Sequence, residues 1–316
     1  MNHSAPLVSI IIPCFAGSPR ELALLEETLA TVEMQTCSDF EVIVVDDGSP
    51  IQVQGATNAH PRVRTLRQSN AGSAQARNTG IAASRGEFIV FLDADDHLLP
   101  EALEAGLRHL SAHPDCGFVV GRREEMTYDG APVPWGVASL PKEKDLYEIL
   151  LGFDWYIIPP SSAMFRRAVV AQVGGFRDPW GADDLDFYLR VARHCSAWCY
   201  DEPAVTRYRR YSASSSRDGE RMLRSIRLVY AREWPFVEGN AAREAAFHRG
   251  LGKLTEIFTD CLVENIRDRF AAGQWRRMLR AAIFLARENR ARLFRELRAG
   301  LGVRTASVQG EAQPSA

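Results

Sequence analysis

Lysine is scarce in this chain. Lys142, Lys144 and Lys253 are the only three among 38 basic residues, so arginine carries the rest. An arginine excess of this kind is taken as compositional and is not read as phosphate binding. Long hydrophobic runs are missing as well. Those present, such as VSIII (8–12) and FIVFL (88–92), fall far short of the roughly 20 apolar residues that cross a bilayer, and no transmembrane helix is expected. The start, MNHSAPLVSIIIPCF, lacks a basic n-region and a small-residue cleavage site, which argues against a signal peptide. Six cysteines, at 14, 37, 116, 195, 199 and 261, are scattered in the manner of reduced thiols, and a cytoplasmic protein is expected. HCSAWC (194–199) has no second ligand pair nearby and is read as buried thiols, not a zinc site. No G-x-G-x-x-G follows the first apolar run, which weighs against a dinucleotide-dependent oxidoreductase. PCFAGSPREL is not the Gly-rich basic loop of a nucleotidyltransferase. No internal repeat is present.

What remains is an ordinary globular composition, 46% hydrophobic and 25% charged over 316 residues, enough for one large domain or two modest ones. The net charge of −2 conceals an asymmetry. Residues 217–316 hold 19 Lys and Arg against 12 Asp and Glu, whereas residues 1–216 hold 19 against 28.

The first half alternates two periodicities. LVSIIIP (7–13), FEVIVVDDGS (40–49), RVRTLRQ (62–68), EFIVFLDADD (87–96) and CGFVVG (116–121) read as strands by length and β-branched content. Between them, residues 18–35, 73–84 and 100–113 read as helices. The first has Ser18 as N-cap, Pro19 at N1, and Leu22, Leu25, Leu29 and Val32 on one face. The second is built of small residues suited to close packing. This alternation predicts an α/β fold with a mainly parallel sheet covered by helices, whose ligands sit beyond the strand C-termini. Asp46, Asp47, Asp93, Asp95 and Asp96 all lie there, which suits one shared cleft.

Three acids in FLDADDHLLP (91–100) repel one another unless a cation or a specific hydrogen-bond set stabilises them. Mg²⁺ and Mn²⁺ prefer oxygen ligands, often one or two carboxylates with substrate phosphates. The competing reading is a solvated loop ahead of a helix, and for Asp96 a capping or supporting role is preferred. A second acidic group lies in GADDLDFYLR (181–190).

The stretches VSIIIPCF, ETLATVEMQTCSDFEVIVVDDGSP, NAGSAQARNTGIAASRGEFIVFLDADD and VGGFRDPWGADDLDFYLRVAR occur in that order. Together they resemble family 2 of the inverting glycosyltransferases, over residues 7 to about 216. The resemblance implies the GT-A fold, Rossmann-like with flanking helices, and a nucleoside-diphosphate sugar donor, with UDP favoured. It places Pro13, Cys14 and Asp47 at the base pocket and Arg77 near the donor nucleotide. It assigns Asp93 and Asp95 to the family's DxD motif, where Asp95 holds Mn²⁺ or Mg²⁺ and Asp93 contacts ribose or metal. It makes Asp184 the catalytic base, with Asp183 as the alternative and Asp186 structural. The acceptor it implies is a saccharide or lipid-linked hydroxyl. Trp180, beside the proposed base, is the favoured acceptor contact; Trp135, Trp155 and Tyr156 are candidates of the same kind. One position departs from the pattern: Tyr211 stands where many members carry a histidine, and neutral tyrosine is a poor ligand for these ions. Arg207, Arg209 or Arg210 are candidates to stand in near the diphosphate.

The expected organisation is a catalytic domain at 1–216, a helical extension at 217–302 and a disordered tail at 303–316. In the extension, Trp275, Leu279, Ala282, Ile283, Ala286, Leu293 and Leu297 form an apolar stripe among arginines. Packing onto the catalytic domain or pairing with another subunit is the first reading. Peripheral contact with the inner face of an anionic membrane is the second. Nucleic acid is not expected as a partner, because the arginines alternate with Glu and no recognition motif is present.

Overall fold

The computed structural model describes residues 5–133, 145–157, 159–177, 181–210 and 217–298. Four parallel strands form one half of a single sheet: β1 (Val8–Cys14), β2 (Phe40–Asp46), β3 (Val63–Arg67) and β4 (Phe88–Phe91). β1 lies inside, with Val8 opposite both Phe40 and Phe88. Its continuous apolar run is explained by burial on two faces. Ile10 and Ile12 join the core beneath α1 (Pro19–Glu33), and Ile11 joins the core on the opposite side. The expected start of α1 is present, with Ser18 Oγ accepting from the Glu21 amide and proline in the first turn. The small-residue helix is α3 (Ser73–Ala83), which follows the single turn α2 (Gln54–Thr57). α3 lies so close to β1 that a methyl group at Gly80 would collide with the Ile11 side chain.

The rest of the sheet is mixed. After β4 come β5 (His97–Leu98), α4 (Ala102–Ala112), β6 (Cys116–Met126), β7 (Pro132–Val133), α5 (Leu146–Leu151), β8 (Ala163–Arg166), α6 (Arg167–Val173), α7 (Asp183–His194) and β9 (Ser196–Arg209). The spatial order is β3-β2-β1-β4-β8-β6-β9-β5, with β7 paired to β6. β8 runs antiparallel to both β4 and β6, and β9 runs parallel to β6 with several register shifts. Thus β6 continues five residues past the expected 116–121, because β9 supplies a partner that no local signal announces.

Four helices follow: α8 (Gly219–Val237), α9 (Ala241–Ala271), α10 (Trp275–Glu288) and α11 (Arg290–Arg298). Met222, Ile226, Val229 and Tyr230 of α8 and Phe247 and Leu254 of α9 share one core with Phe165 of β8 and Phe187 of α7. Among the described residues, no helix is long and apolar enough to cross a membrane.

Gly250 lies where α9 passes close to Leu151 of α5 and Tyr230 of α8. A methyl group there would strike the Leu151 carbonyl oxygen and the Tyr230 hydroxyl, which are joined to each other by a 2.7 Å hydrogen bond. Alanine gains at most about 1 kcal/mol of helix propensity over glycine. Forced overpacking against backbone costs about 1–3 kcal/mol. Gly250→Ala is therefore expected to lower the unfolding midpoint in a thermal melt, whereas Gly252→Ala, with open space around it, should not.

Candidate active site

Both acidic groups are held in place by aromatic packing beneath them. Phe91, at the end of β4, meets Phe176 edge-on at 4.9 Å and Phe187 at 5.8 Å, and Phe176 stacks on Phe187 at 4.4 Å. Phe187 is in α7, so the strand leading into Asp93 is packed against the helix that opens with Asp183 and Asp184. At that opening, Ala182 adopts φ 50°, ψ 22°, a left-handed conformation uncommon for a residue with a side chain.

Arg77 of α3 joins the two groups. Its Nη2 lies 2.6 Å from Asp93 Oδ1 and its Nη1 lies 2.6 Å from Asp183 Oδ2. The guanidinium is buried, sits 5.2 Å above the Phe176 ring, and leaves its Nε without a hydrogen-bond partner. An alternative partner for Arg77, Asp46 or Asp47, is not used. Asp46 instead accepts from Arg67 and from the Ser49 amide. Asp47 is buried and accepts from Gln68 Nε2 at 2.7 Å, the Ala71 amide at 2.9 Å and the Gly72 amide at 2.8 Å, which fixes the loop ahead of α3.

Asp183 and Asp184 are not equivalent. Asp183 is locked to Arg77. Among the described residues no cation pairs with half-buried Asp184: Oδ2 accepts from the Tyr156 hydroxyl at 2.7 Å and Oδ1 from the Leu185 amide at 2.7 Å. Burial pushes the Asp184 carboxyl above its usual range, and the Tyr156 hydrogen bond partly offsets that. Asp183 Oδ2 is already engaged by Arg77, which leaves Asp184 as the acid of the pair that no guanidinium holds. Neither acid is the helix cap, since Ala182 occupies that position without a side-chain bond. Asp186 is fully buried between Arg177 and Arg190, which fits a structural role.

In the 93–96 turn, Asp93 and Asp95 are half-buried and Asp96 is fully buried. Asp96 Oδ1 accepts from the Arg209 amide at 2.9 Å, and its Oδ2 has no hydrogen-bond partner. Burial, then the charges of Asp95 and Asp93, push this carboxyl well upward. Asp96 thus ties the turn to β9. It does not cap α4, whose N-cap is Glu101. The Arg209 side chain is fully buried and donates to the Asp95 carbonyl at 2.8 Å, the Tyr128 carbonyl at 2.6 Å and Glu27 at 2.8 Å. It supports the turn from behind and is not directed at a diphosphate. Arg207 and Arg210 pair with Glu124 and Glu125.

Pro13 is half-buried at the end of β1, whereas Cys14 is buried with its thiol pushed up to about 12 by desolvation. The Cys14 carbonyl accepts from the Asp47 amide at 2.8 Å, so the two wall positions are bonded to each other. Trp135, Trp180 and Tyr211 lie outside the described residues. Among those described, no three His, Cys, Asp or Glu side chains gather as a metal site. Asp93 and Asp95 supply hard oxygen donors in the number that suits Mg²⁺ or Mn²⁺ when phosphate and water complete the shell.

Two contacts here have no signal in the sequence: the Tyr156 hydroxyl on Asp184 and the Arg209 side chain on the Asp95 carbonyl, whose partners lie 28 and 114 residues away. One consequence is measurable. If Asp184 takes a proton in the reaction, activity falls as pH drops through its pKa, because a protonated carboxyl cannot accept one. Because that pKa is raised, the acid limb should lie above the range of an exposed aspartate. Tyr156→Phe removes a bond that favours the carboxylate, and the acid limb of the pH–rate profile should move to still higher pH.

Residues 9–174 match the family described as Glycosyl transferase family 2. The chain is 41% identical over 210 residues to chondroitin synthase of Escherichia coli, a match covering 62% of this chain and 29% of that protein. It is 30% identical over 223 residues to the O-antigen biosynthesis protein RfbC of Myxococcus xanthus, covering 68% of this chain and 16% of that one. The chain therefore spans less than half the length of these curated relatives. In fold it is similar to S. aureus TarS 1-349 in complex with UDP, with TM-score 0.66, 18% identity, and 96% and 95% of the two chains covered. The mannosyltransferase PcManGT of Pyrobaculum calidifontis, in complex with GDP-Man and Mn2+, superposes with TM-score 0.56 at 22% identity over 95% and 86% of the chains. The mixed sheet with flanking helices is thus a GT-A fold carrying a C-terminal helical region, and the chain belongs to glycosyltransferase family 2.

Proposed function

We propose that this chain transfers a hexosyl unit from a nucleoside-diphosphate sugar, UDP-linked by preference, to a hydroxyl acceptor with inversion at the anomeric carbon. The observation that carries this reading is the Arg77 bridge, which brings the Asp93 group and the Asp183–Asp184 group to one place. Family membership, and relatives named for chondroitin synthesis and O-antigen biosynthesis, support a role in assembling surface polysaccharide or glycolipid.

In this reading Asp184 takes the proton of the acceptor hydroxyl as the oxygen attacks the anomeric carbon from the face opposite the leaving group. Tyr156 holds the carboxylate in position. One displacement gives inversion without a covalent enzyme intermediate. Asp95, with Asp93, would hold Mn²⁺ or Mg²⁺, which when bound supplies positive charge against the departing diphosphate. Arg77 neutralises Asp93 and Asp183, so the cleft repels an anionic donor less. Pro13, Cys14 and Asp47 form the base side of the donor site. Residues 1–216 carry this chemistry, and α8 and α9 buttress it through the shared core.

The test is nucleoside diphosphate release from a panel of UDP-, dTDP- and GDP-sugars, with and without Mn²⁺. Slow Mn²⁺-dependent hydrolysis of one donor is expected, strongly reduced in Asp95→Asn. Release that Asp95→Asn leaves near wild type would refute the metal assignment. No release from any donor would favour a nucleotide-sugar or glycan-binding module without catalysis.

A further inference from the structure

α10 presents two unlike faces. On one, Ala281 and Leu285 are fully buried against Leu262, Val263 and Ile266 of α9. On the other, Trp275, Leu279 and Ile283 recur every fourth residue and are 57%, 57% and 46% exposed. At 100° per residue this stripe is bordered along one edge by Arg276, Arg280 and Arg287, all exposed, with Arg277 beyond them. None of these four arginines forms an ion pair among the described residues. The one acid of the helix, Glu288, is turned toward α8, where it pairs with Arg227.

An apolar stripe bordered by unpaired cations suits a partner that is apolar below and anionic above. An antiparallel two-fold contact between copies through this face would set the two arginine edges side by side, which counts against a second copy packed that way. An anionic lipid surface satisfies both features, with the ring and aliphatic side chains at the headgroup–acyl boundary and the guanidinium groups among the phosphates. We infer that α10 docks the protein on an anionic membrane surface through Trp275, Leu279 and Ile283, with Arg276, Arg280 and Arg287 contacting lipid phosphates. This face is separate from the acidic cleft and its assignment is independent of the donor chemistry.

The experiment is flotation of the full chain with phosphatidylcholine vesicles, with and without phosphatidylglycerol. Partition is expected only with the anionic lipid and should weaken with salt. Arg276→Ala/Arg280→Ala/Arg287→Ala should weaken partition roughly a hundredfold, given the attraction of each basic residue to such a surface. Leu279→Ser/Ile283→Ser should weaken it about tenfold or more. Arg85→Ala, at an exposed position on the sheet side, should leave it unchanged. Unaltered thermal melts would show that the variants fold. Failure to float, equal binding to neutral vesicles, or equal loss in Arg85→Ala would overturn the inference. So would a dimer that Leu279→Ser/Ile283→Ser dissociates, since the face would then be an interface between copies.

Discussion

Asp184→Asn is expected to lower kcat for glycosyl transfer by roughly 10²–10⁴-fold, the usual contribution of a positioned general base, with the donor KM little changed. The amide preserves size and can still accept from Tyr156 at 2.7 Å, so the fold and the donor site should persist. What is lost is the capacity to take a proton. Asp183→Asn should behave differently, because Asp183 is held by Arg77 and Asp184 is not. Its main effect should be on stability and donor KM. Steady-state kinetics on both variants separates the assignments. If Asp184→Asn kept transfer while Asp183→Asn abolished it, the base would have to be reassigned to Asp183.

Arg77→Met should be the most destabilising change in the cleft. It keeps the volume of the side chain but leaves Asp183, 11% exposed at its side chain, without a counter-charge. Removing one member of a buried ion pair costs about 3–5 kcal/mol, chiefly from stranding the other charge. The pH dependence has a definite sign. Asp183 is already pushed up to about 6 by burial even with Arg77 present. Without the guanidinium it rises further, so the folded variant binds a proton there that the unfolded chain has released. Stability then falls as pH rises from the ordinary carboxylate range through the folded pKa. The penalty in chemical denaturation should therefore be smallest in acid and grow toward neutrality. Asp183→Asn added to Arg77→Met should restore part of the loss, since no carboxylate is then stranded at that position. Arg77→Lys should recover less than full stability, because a single ammonium cannot reproduce two separate donors to two acids. A double variant no more stable than Arg77→Met would mean that Arg77 acts through packing on Phe176 and not through charge.

These two results would bear on different links of the same argument. The first concerns which carboxylate does chemistry. The second concerns why acids from separate segments can share a cleft at all. The resemblance places Arg77 beside the donor nucleotide. The structure shows both of its terminal nitrogens bonded to carboxylates, one to Asp183 and one to Asp93.

By itself the sequence determined the parallel half of the sheet, helices α1, α3 and α4, and the positions of both acidic groups. These rest on local signals: β-branched runs long enough for one strand, a Ser-Pro helix start, and carboxylates at element ends. It also placed the apolar stripe of α10, since a period near four residues is a property of the segment alone. Only the tertiary structure decided the partners. Arg77 meets an acid 106 residues away, Arg209 grips a carbonyl 114 residues back, and Tyr156 turns its hydroxyl onto Asp184. The extension of β6 and the whole of β9 likewise depend on each other across some 80 residues. The physical reason is the same in each case. A hydrogen bond or ion pair has a reach of about 3 Å, and whether two side chains come within it is set by how distant helices and strands pack, which local composition does not encode.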